Sequence, residues 1–286
     1  MHNLTPHVYW TPPEERTDRP VLGAVAGQHA TLMVDAGNSP AHVRWFLDGL
    51  AGIGASPPRY VALTHWHWDH TFGLQALDAP ALAHAETRAR LLEMAGWEWS
   101  DADIDRRVEQ GLEMGFCRVH LKAEWPDRSG LHIRAPDVTF THEMHVDLGG
   151  VTCRLIHVGG DHSSDSCVIH VPEDGVAFLG DCLYENLHHS PPYYTTARLF
   201  PLLERVLGLG AAWYLIAHNP QPTPRAELEE WASDVRAIGS LVDRLGANPA
   251  ALLAELPHAL GRAPSDDDVR IANLFIAGLG SSCLVG

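Results

Sequence analysis

The stretch Tyr60-Val61-Ala62-Leu63-Thr64-His65-Trp66-His67-Trp68-Asp69-His70 places three histidines and one carboxylate within six residues, directly after an apolar run of β type. Alternation along a strand predicts that His65 and His67 share one face, two residues apart. Asp69 and His70 then fall in the following turn, from which they can reach back over the strand end. Neutral imidazoles and a carboxylate are ligands suited to zinc, and also to iron or manganese. A chain with 19 histidines clusters some of them by chance. Here, however, the cluster sits where a strand ends, between tryptophans instead of polar filler.

A metal site at one strand end predicts single histidines or aspartates at later strand ends. His162 lies in the turn Gly159-Gly160-Asp161-His162-Ser163-Ser164-Asp165-Ser166. Asp181 ends the run Phe178-Leu179-Gly180-Asp181, and His218 ends Leu215-Ile216-Ala217-His218. A histidine at a strand end is by itself more often a surface or capping residue. Four motifs in one order over about 155 residues carry more weight.

Together these motifs resemble the metallo-β-lactamase superfamily: the H-x-H-x-D-H signature, then a Gly-His-Thr-x-Gly-Ser-like turn, a strand-Gly-Asp element and a strand-Gly-His-Gly-like element. The match runs over residues 20–225. The resemblance implies an α+β fold, a four-layer αββα sandwich with the ligands gathered at one edge. It implies two divalent metal ions, zinc first, with iron or manganese as alternatives. His65, His67 and His162 would hold the first ion, and Asp69, His70 and His218 the second. Asp181 would bridge both, with coordination left open for a bridging hydroxide. It also implies that Asp35 supports the site from behind. The sequence departs from the family in three places. Asn219 follows His218 where glycine is usual. Asp161 precedes His162 where glycine is usual, and reads as an acceptor for that histidine or a competing ligand. His67 stands where the redox di-iron branch places glutamate, which disfavours that branch.

The chemistry so implied is metal-dependent hydrolysis of an ester-like bond of a small molecule, with Asp69 also able to accept a proton from the bridging water. No Gly-x-Ser-x-Gly elbow is present. Tyr184, three residues after Asp181, has the spacing of acyl-homoserine-lactone lactonases, where a tyrosine hydroxyl faces the substrate carbonyl; the plainer reading is a core tyrosine. A β-lactam reading lacks a lysine beside the last ligand, with Arg225 the nearest substitute. A glyoxalase-type thioester reading ranks lower because the C-terminal region is acidic at Asp266-Asp267-Asp268. A non-catalytic metal- or ligand-binding protein on this fold is the reading from another class. It is disfavoured because all seven ligand positions hold competent groups.

Around the motifs, residues 1–20 are rich in proline and charge and read as surface chain. Segments 21–26 and 30–34 read as a hairpin. Ser39 then caps a helix that has Pro40 at its first position and a stripe of Val43, Phe46, Leu47 and Leu50. After His70 the expectation is a short helix over 72–77, a strand over 80–84, and a helical insertion over 86–136 with pieces at 86–95 and 101–114. Its tryptophans read as a lid or substrate wall, or equally as packing or a homodimer contact. Two strands are expected over 138–158, then strands over 167–171, 176–179 and 213–217. Histidines and tyrosines of 185–194 either line the pocket or sit in a solvated loop. Residues 222–286 read as C-terminal helices of a single domain spanning 1–286, one starting at Thr223-Pro224 and one at Ser265 with Asp268.

The formal net charge of −16 argues against nucleic acid and anionic membranes. No apolar run approaches the roughly 18 residues of a membrane span, and Met1–Pro6 does not resemble a secretory leader. Five scattered cysteines without Cys-x-x-Cys point to a reducing cytoplasm. The single lysine, Lys122, is the only candidate for lysine chemistry.

Overall fold

The computed structural model describes residues 1–280. In chain order the strands and helices are β1 (His2–Asn3), β2 (Val8–Thr11), β3 (Leu22–Ala26), β4 (Thr31–Val34), α1 (Pro40–Gly52), β5 (Pro58–Ala62), α2 (Trp68–Thr71) and β6 (Ala81–His84). Then come α3 (Ala85–Met94), α4 (Asp101–Glu109), α5 (Gly115–Glu124), β7 (Val138–Phe140), β8 (Glu143–Asp147), β9 (Thr152–His157), β10 (Cys167–Val171) and β11 (Val176–Gly180). The chain continues with α6 (Thr196–Gly208), β12 (Trp213–Ile216), β13 (Thr223–Pro224), α7 (Arg225–Leu245), α8 (Pro249–Leu260) and α9 (Asp266–Gly278). A seven-stranded sheet runs β1-β2-β3-β4-β5-β6-β7 and a six-stranded sheet runs β13-β12-β11-β10-β9-β8. Both are mixed: β4, β5, β6 and β7 pair in parallel, as do β11 and β12.

Strand patterning explains the layers. Along β4, Leu32 and Val34 face the other sheet while Met33 faces helices; along β11, Val176 and Phe178 face inward while Ala177 and Leu179 face helices. Strands buried on both faces read as continuous apolar runs. They create three apolar seams: Leu32, Ile169, Phe178 and Leu215 between the sheets; Met33, Phe46, Leu91 and Trp125 outside the first; Leu179, Leu203, Val235 and Phe275 outside the second. The expected αββα sandwich is therefore what forms. Among the described residues no helix is long and apolar enough to cross a membrane.

The hairpin of β3 and β4 and the Ser39 cap form as expected, with Ser39 Oγ accepting from the His42 amide. So does the reciprocal cap between Ser265 and Asp268. Other expectations need correction. Residues 1–20 are not surface chain throughout: Val8 and Trp10 are buried in the seam between the sheets. The alternation of Val8-Tyr9-Trp10-Thr11 is short and hidden between Pro6 and Pro12. Residues 138–158 hold three strands, because the chain leaves the first sheet at Phe140 and enters the second at Glu143 after only Thr141 and His142. The piece at 101–114 ends at Glu109, and a further helix, α5, starts at Gly115. Thr223 and Pro224 form β13, and the long helix begins at Arg225. The four described cysteines are buried free thiols; Cys283 lies outside the described residues.

His42, on the buried face of α1, has no protein partner for either ring nitrogen. Burial, then Arg19, pushes its pKa down to about 3. The unfolded chain binds a proton near pH 6.5 that the folded chain refuses, so this group's contribution is present above pH 6.5 and lost as pH falls towards 3. Melting of chelator-treated protein from pH 7 to 4.5 is expected to show a steeper loss in the parent than in His42→Leu. The difference approaches about 1.4 kcal/mol per pH unit. Equal slopes would count against it.

Candidate metal centre

The signature loop lies at one edge of the sandwich, where both sheets hold it. The Leu63 amide donates to the Leu82 carbonyl (3.0 Å), and the Cys167 amide donates to the Thr64 carbonyl (2.7 Å). His65 and His67 thus lie beyond the end of β5, in loop and not on the strand as expected. Asp69 and His70 sit on the one-turn helix α2. His162, Asp181 and His218 follow β9, β11 and β12 respectively. All seven residues therefore meet at the same end of the sandwich, drawn from the C-terminal ends of β5, β9, β11 and β12.

They form two sets. His65, His67, His162 and Asp181 offer ligand atoms within 4.8 Å of one another, as do Asp69, His70, Asp181 and His218. In the first set, His67 Nδ1 lies 2.9 Å from His65 Nε2 and 3.0 Å from His162 Nε2, and His162 Nε2 lies 3.4 Å from Asp181 Oδ2. In the second set, His70 Nε2 is 3.1 Å from Asp69 Oδ2 and 3.5 Å from Asp181 Oδ2, and His218 Nε2 is 3.3 Å and 3.6 Å from the same two oxygens. One oxygen, Asp181 Oδ2, serves both sets. A tetrahedral zinc with bonds of about 2.0–2.1 Å holds its nitrogen ligands roughly 3.3 Å apart, close to these spacings. His70 Nε2 and Asp181 Oδ1 are buried with no hydrogen-bond partner. A buried nitrogen such as His70 Nε2, left without a hydrogen bond among converging ligand atoms, is what a cation satisfies. The donor sets fit two divalent ions.

Charge agrees. Burial, reinforced by neighbouring imidazoles, pushes His65 and His67 well below the usual histidine range, so they stay neutral as ligands must. Burial works against protonating His70 and His218, but Asp69, Asp181 and, for His70, Asp35 outweigh it and raise both well above that range. Burial opposes ionisation of Asp69 and Asp181, yet the facing histidines hold both carboxyls down. The second set is thus a dense charge network whose protons a divalent cation would replace on binding.

The surroundings fix ring orientations. His70 Nδ1 lies 2.8 Å from Asp35 Oδ2, and the Thr64 amide donates to Asp35 Oδ1 (2.7 Å). Asp35 takes a left-handed φ of 59° to do this. Gly180 is required just before Asp181: its φ is 53°, and a Cβ there would stand 2.6 Å from Thr64 Oγ1. His162 Nδ1 faces the Glu185 carbonyl at 3.2 Å. Asp161 neither orients His162 nor competes for metal. Its carboxylate accepts from the amide and hydroxyl of Thr195, which precedes α6, so it anchors that helix's start.

A cavity of about 280 Å³ opens over both sets, walled by Trp68, Met94, Met114, Phe116, Cys117 and Leu187. Tyr184 lines it too. Its hydroxyl donates to Asn219 Oδ1 (3.4 Å), which gives Asn219 a role, and burial followed by Asp181 raises the phenol's pKa, so it stays protonated. Of the 185–194 segment, Glu185, Leu187 and His188 line the cavity. Arg225 pairs instead with Glu229 (2.7 Å), and Lys122 with Asp105 (2.8 Å); neither lines the cavity. Sequence reading missed Asp18, which also lines it. Asp18 has a φ of 56°, and its Oδ1 stands 3.6 Å from His218 Nδ1. Burial, then Asp69, raises its carboxyl to about 7. The signal was absent because nothing in the proline- and charge-rich N-terminal segment marks a residue that folds back onto a strand end.

The family model described as "Metallo-beta-lactamase superfamily" matches residues 22–245. Chicken (Gallus gallus) acyl-coenzyme A thioesterase MBLAC2 is 29% identical over 177 residues, 60% of this chain and 60% of that protein. The human (Homo sapiens) protein of the same name is 29% identical over 160 residues, 54% of this chain and 52% of that one. The chain thus spans between about half and 60% of the length of these curated relatives. Among solved structures, a metallo-beta-lactamase family protein from Thermus thermophilus superposes with a TM-score of 0.60 at 19% identity, covering 99% of this chain and 96% of that one. The sec-alkylsulfatase Pisa1 from Pseudomonas sp. gives 0.66 at 13% identity, covering 97% of this chain and 50% of its own. At such identities these likenesses speak for the fold alone.

Proposed function

The chain belongs to the metallo-beta-lactamase superfamily, and on that footing we propose that it is a metal-dependent hydrolase acting on a thioester, or a related ester, of an apolar acyl group. The observation that carries the reading is one oxygen, Asp181 Oδ2, shared by two converging sets of ligands beneath an apolar-walled cavity. His65, His67 and His162 hold the first ion and Asp69, His70 and His218 the second, with Asp181 common to both. Zinc suits the three imidazoles of the first set; the second, with two carboxylates, also accepts iron or manganese. Two divalent ions there supply Lewis acidity that polarises a carbonyl and lowers the pKa of water towards neutrality.

The chain's own groups define the rest. Asp69, held ionised by His70 and His218, is placed to take a proton from attacking water. Helices α3 and α5 and the turn before α5 contribute Met94, Met114, Phe116 and Cys117, an apolar wall for the acyl part and the role proposed for the 86–136 insertion. The volume lies near the lower end of small-molecule pockets, about 300–1,000 Å³, which fits a modest acyl group. Thioester cleavage is ranked first because the curated relatives carry that name. A lactone is the second reading, and Tyr184 on the cavity wall favours it. A β-lactam is the weakest: among the described residues no arginine or lysine lines the cavity to meet its carboxylate.

The test is hydrolysis of acyl thioesters, aryl esters and lactones by purified protein before and after chelation, beside elemental analysis. Two metals per chain, with thioester turnover lost to chelator and restored by zinc, iron or manganese, is the expected result. Metal-free protein that stays inactive after all three are restored would leave a binding protein as the function.

A further inference from the structure

We propose that His188 is a positioning residue for the first metal site, holding His67 in the one ring orientation and tautomer that present Nδ1 to the ion. The inference rests on the reading of these residues as metal ligands and goes beyond it, because His188 belongs to neither ligand set. His67 Nδ1 faces His65 Nε2 and His162 Nε2 at 2.9 and 3.0 Å, so its metal-facing atom is Nδ1. Its other nitrogen, Nε2, points away and meets His188 Nε2 at 3.1 Å. A histidine that binds a cation through Nδ1 carries its proton on Nε2, and that N–H needs an acceptor to fix the ring. His188 Nε2 is that acceptor, its own proton then residing on Nδ1.

Other ligand histidines are backed by oxygen: His65 Nδ1 by Thr64 Oγ1 at 3.1 Å, His162 Nδ1 by the Glu185 carbonyl at 3.2 Å, and His70 Nδ1 by Asp35 at 2.8 Å. His67 is backed by an imidazole instead. The rings are also packed. His188 lies 4.9 Å from the His67 ring and 5.6 Å from Trp66, while Trp66 stands edge-on to His67 at 4.4 Å and carries Arg90 over its ring at 4.6 Å. Glu185 and His188 stand on one segment that leaves directly from Asp181. That segment therefore backs two of the three histidines of the first set and none of the second, which makes the first site sensitive to how the segment is seated.

The experiment titrates metal-free parent, His188→Phe and His188→Gln with zinc(II) against a competing chelator, and with cobalt(II) followed by absorption. No substrate is present. Phenylalanine keeps the ring packing and removes the nitrogen; glutamine restores an acceptor oxygen. The expected result is that His188→Phe weakens one of two binding steps by about 10–100-fold, alters the cobalt spectrum of that step and leaves the other unchanged. His188→Gln should return part of the loss. Parental binding of both ions by His188→Phe overturns the proposal, as does equal weakening of both steps in both variants, which marks a collapsed loop. A parent that binds no metal overturns the metal reading and this inference together; a parent that binds two while His188→Phe matches it overturns this inference alone.

Discussion

Asp181→Asn is expected to lower hydrolysis by on the order of 10³-fold or more and to reduce bound metal from two ions per chain to one or fewer. The substitution is nearly isosteric, so the change is in charge and donor quality. Asp181 Oδ2 stands 3.4 Å from His162, 3.5 Å from His70, 3.6 Å from His218 and 3.8 Å from His65. Among the described residues, Asp181 is the one member common to both sets. An amide offers a neutral carbonyl oxygen, or a nitrogen that repels a cation. Two divalent ions then face five imidazoles with Asp69 as the one remaining anion among the ligands. The rate loss follows because the stabilisation such ions give a developing oxyanion is worth several kcal/mol, and each 1.36 kcal/mol is tenfold. Elemental analysis and steady-state kinetics on the folded variant, its fold checked by circular dichroism, are the measurements. A variant that keeps two ions and parental turnover would falsify the shared-ligand reading.

How much of this was legible beforehand depends on the range of the signal. The gathering of the seven candidate residues was readable because they stand at or a few residues past the ends of apolar runs, and strand ends collect at sheet edges whatever their separation in sequence. Asp35 was readable from the family resemblance. The layers were readable because both faces of the central strands are apolar. Three things were not. Val8 and Trp10 sit in a four-residue strand whose pairing with β3 is tertiary, so local composition outweighed it. The crossing from β7 to β8 takes only Thr141 and His142, with no glycine or proline to mark it, so the pattern alone cannot say that one strand belongs to each sheet. The partners of Asp161, Asp18 and His188 lie 34, 200 and 121 residues away. Separations of that size leave no local signal: Asp161 is a helix anchor, while Asp18 and His188 face candidate ligands.

Tyr184→Phe separates two ways in which a phenol can serve the reaction. Tyr184 lines the cavity, its ring centroid 6.2 Å from those of both His162 and His218, and burial together with Asp181 keeps its hydroxyl protonated. It can therefore donate a hydrogen bond and cannot act as a base at neutral pH. The 3.4 Å contact to Asn219 Oδ1 is long for an O–H···O bond, so redirecting it costs little. If the hydroxyl stabilises the carbonyl oxygen as charge develops, kcat falls on the order of 10²-fold for oxygen esters, lactones and thioesters alike. If it protonates the leaving group, the loss concentrates in oxygen esters and lactones. A thiolate, whose conjugate acid has a pKa near 8.5, departs unaided where an alkoxide needs the proton. Metal content stays at two ions in either case, because Tyr184 belongs to neither ligand set. With thioester cleavage ranked first, the uniform loss is the expected pattern. The decisive comparison is the parent-to-variant kcat ratio for a thioester and an oxygen ester of the same acyl group. Ratios near one for both would return Tyr184 to the plain role of a packed ring beside β11.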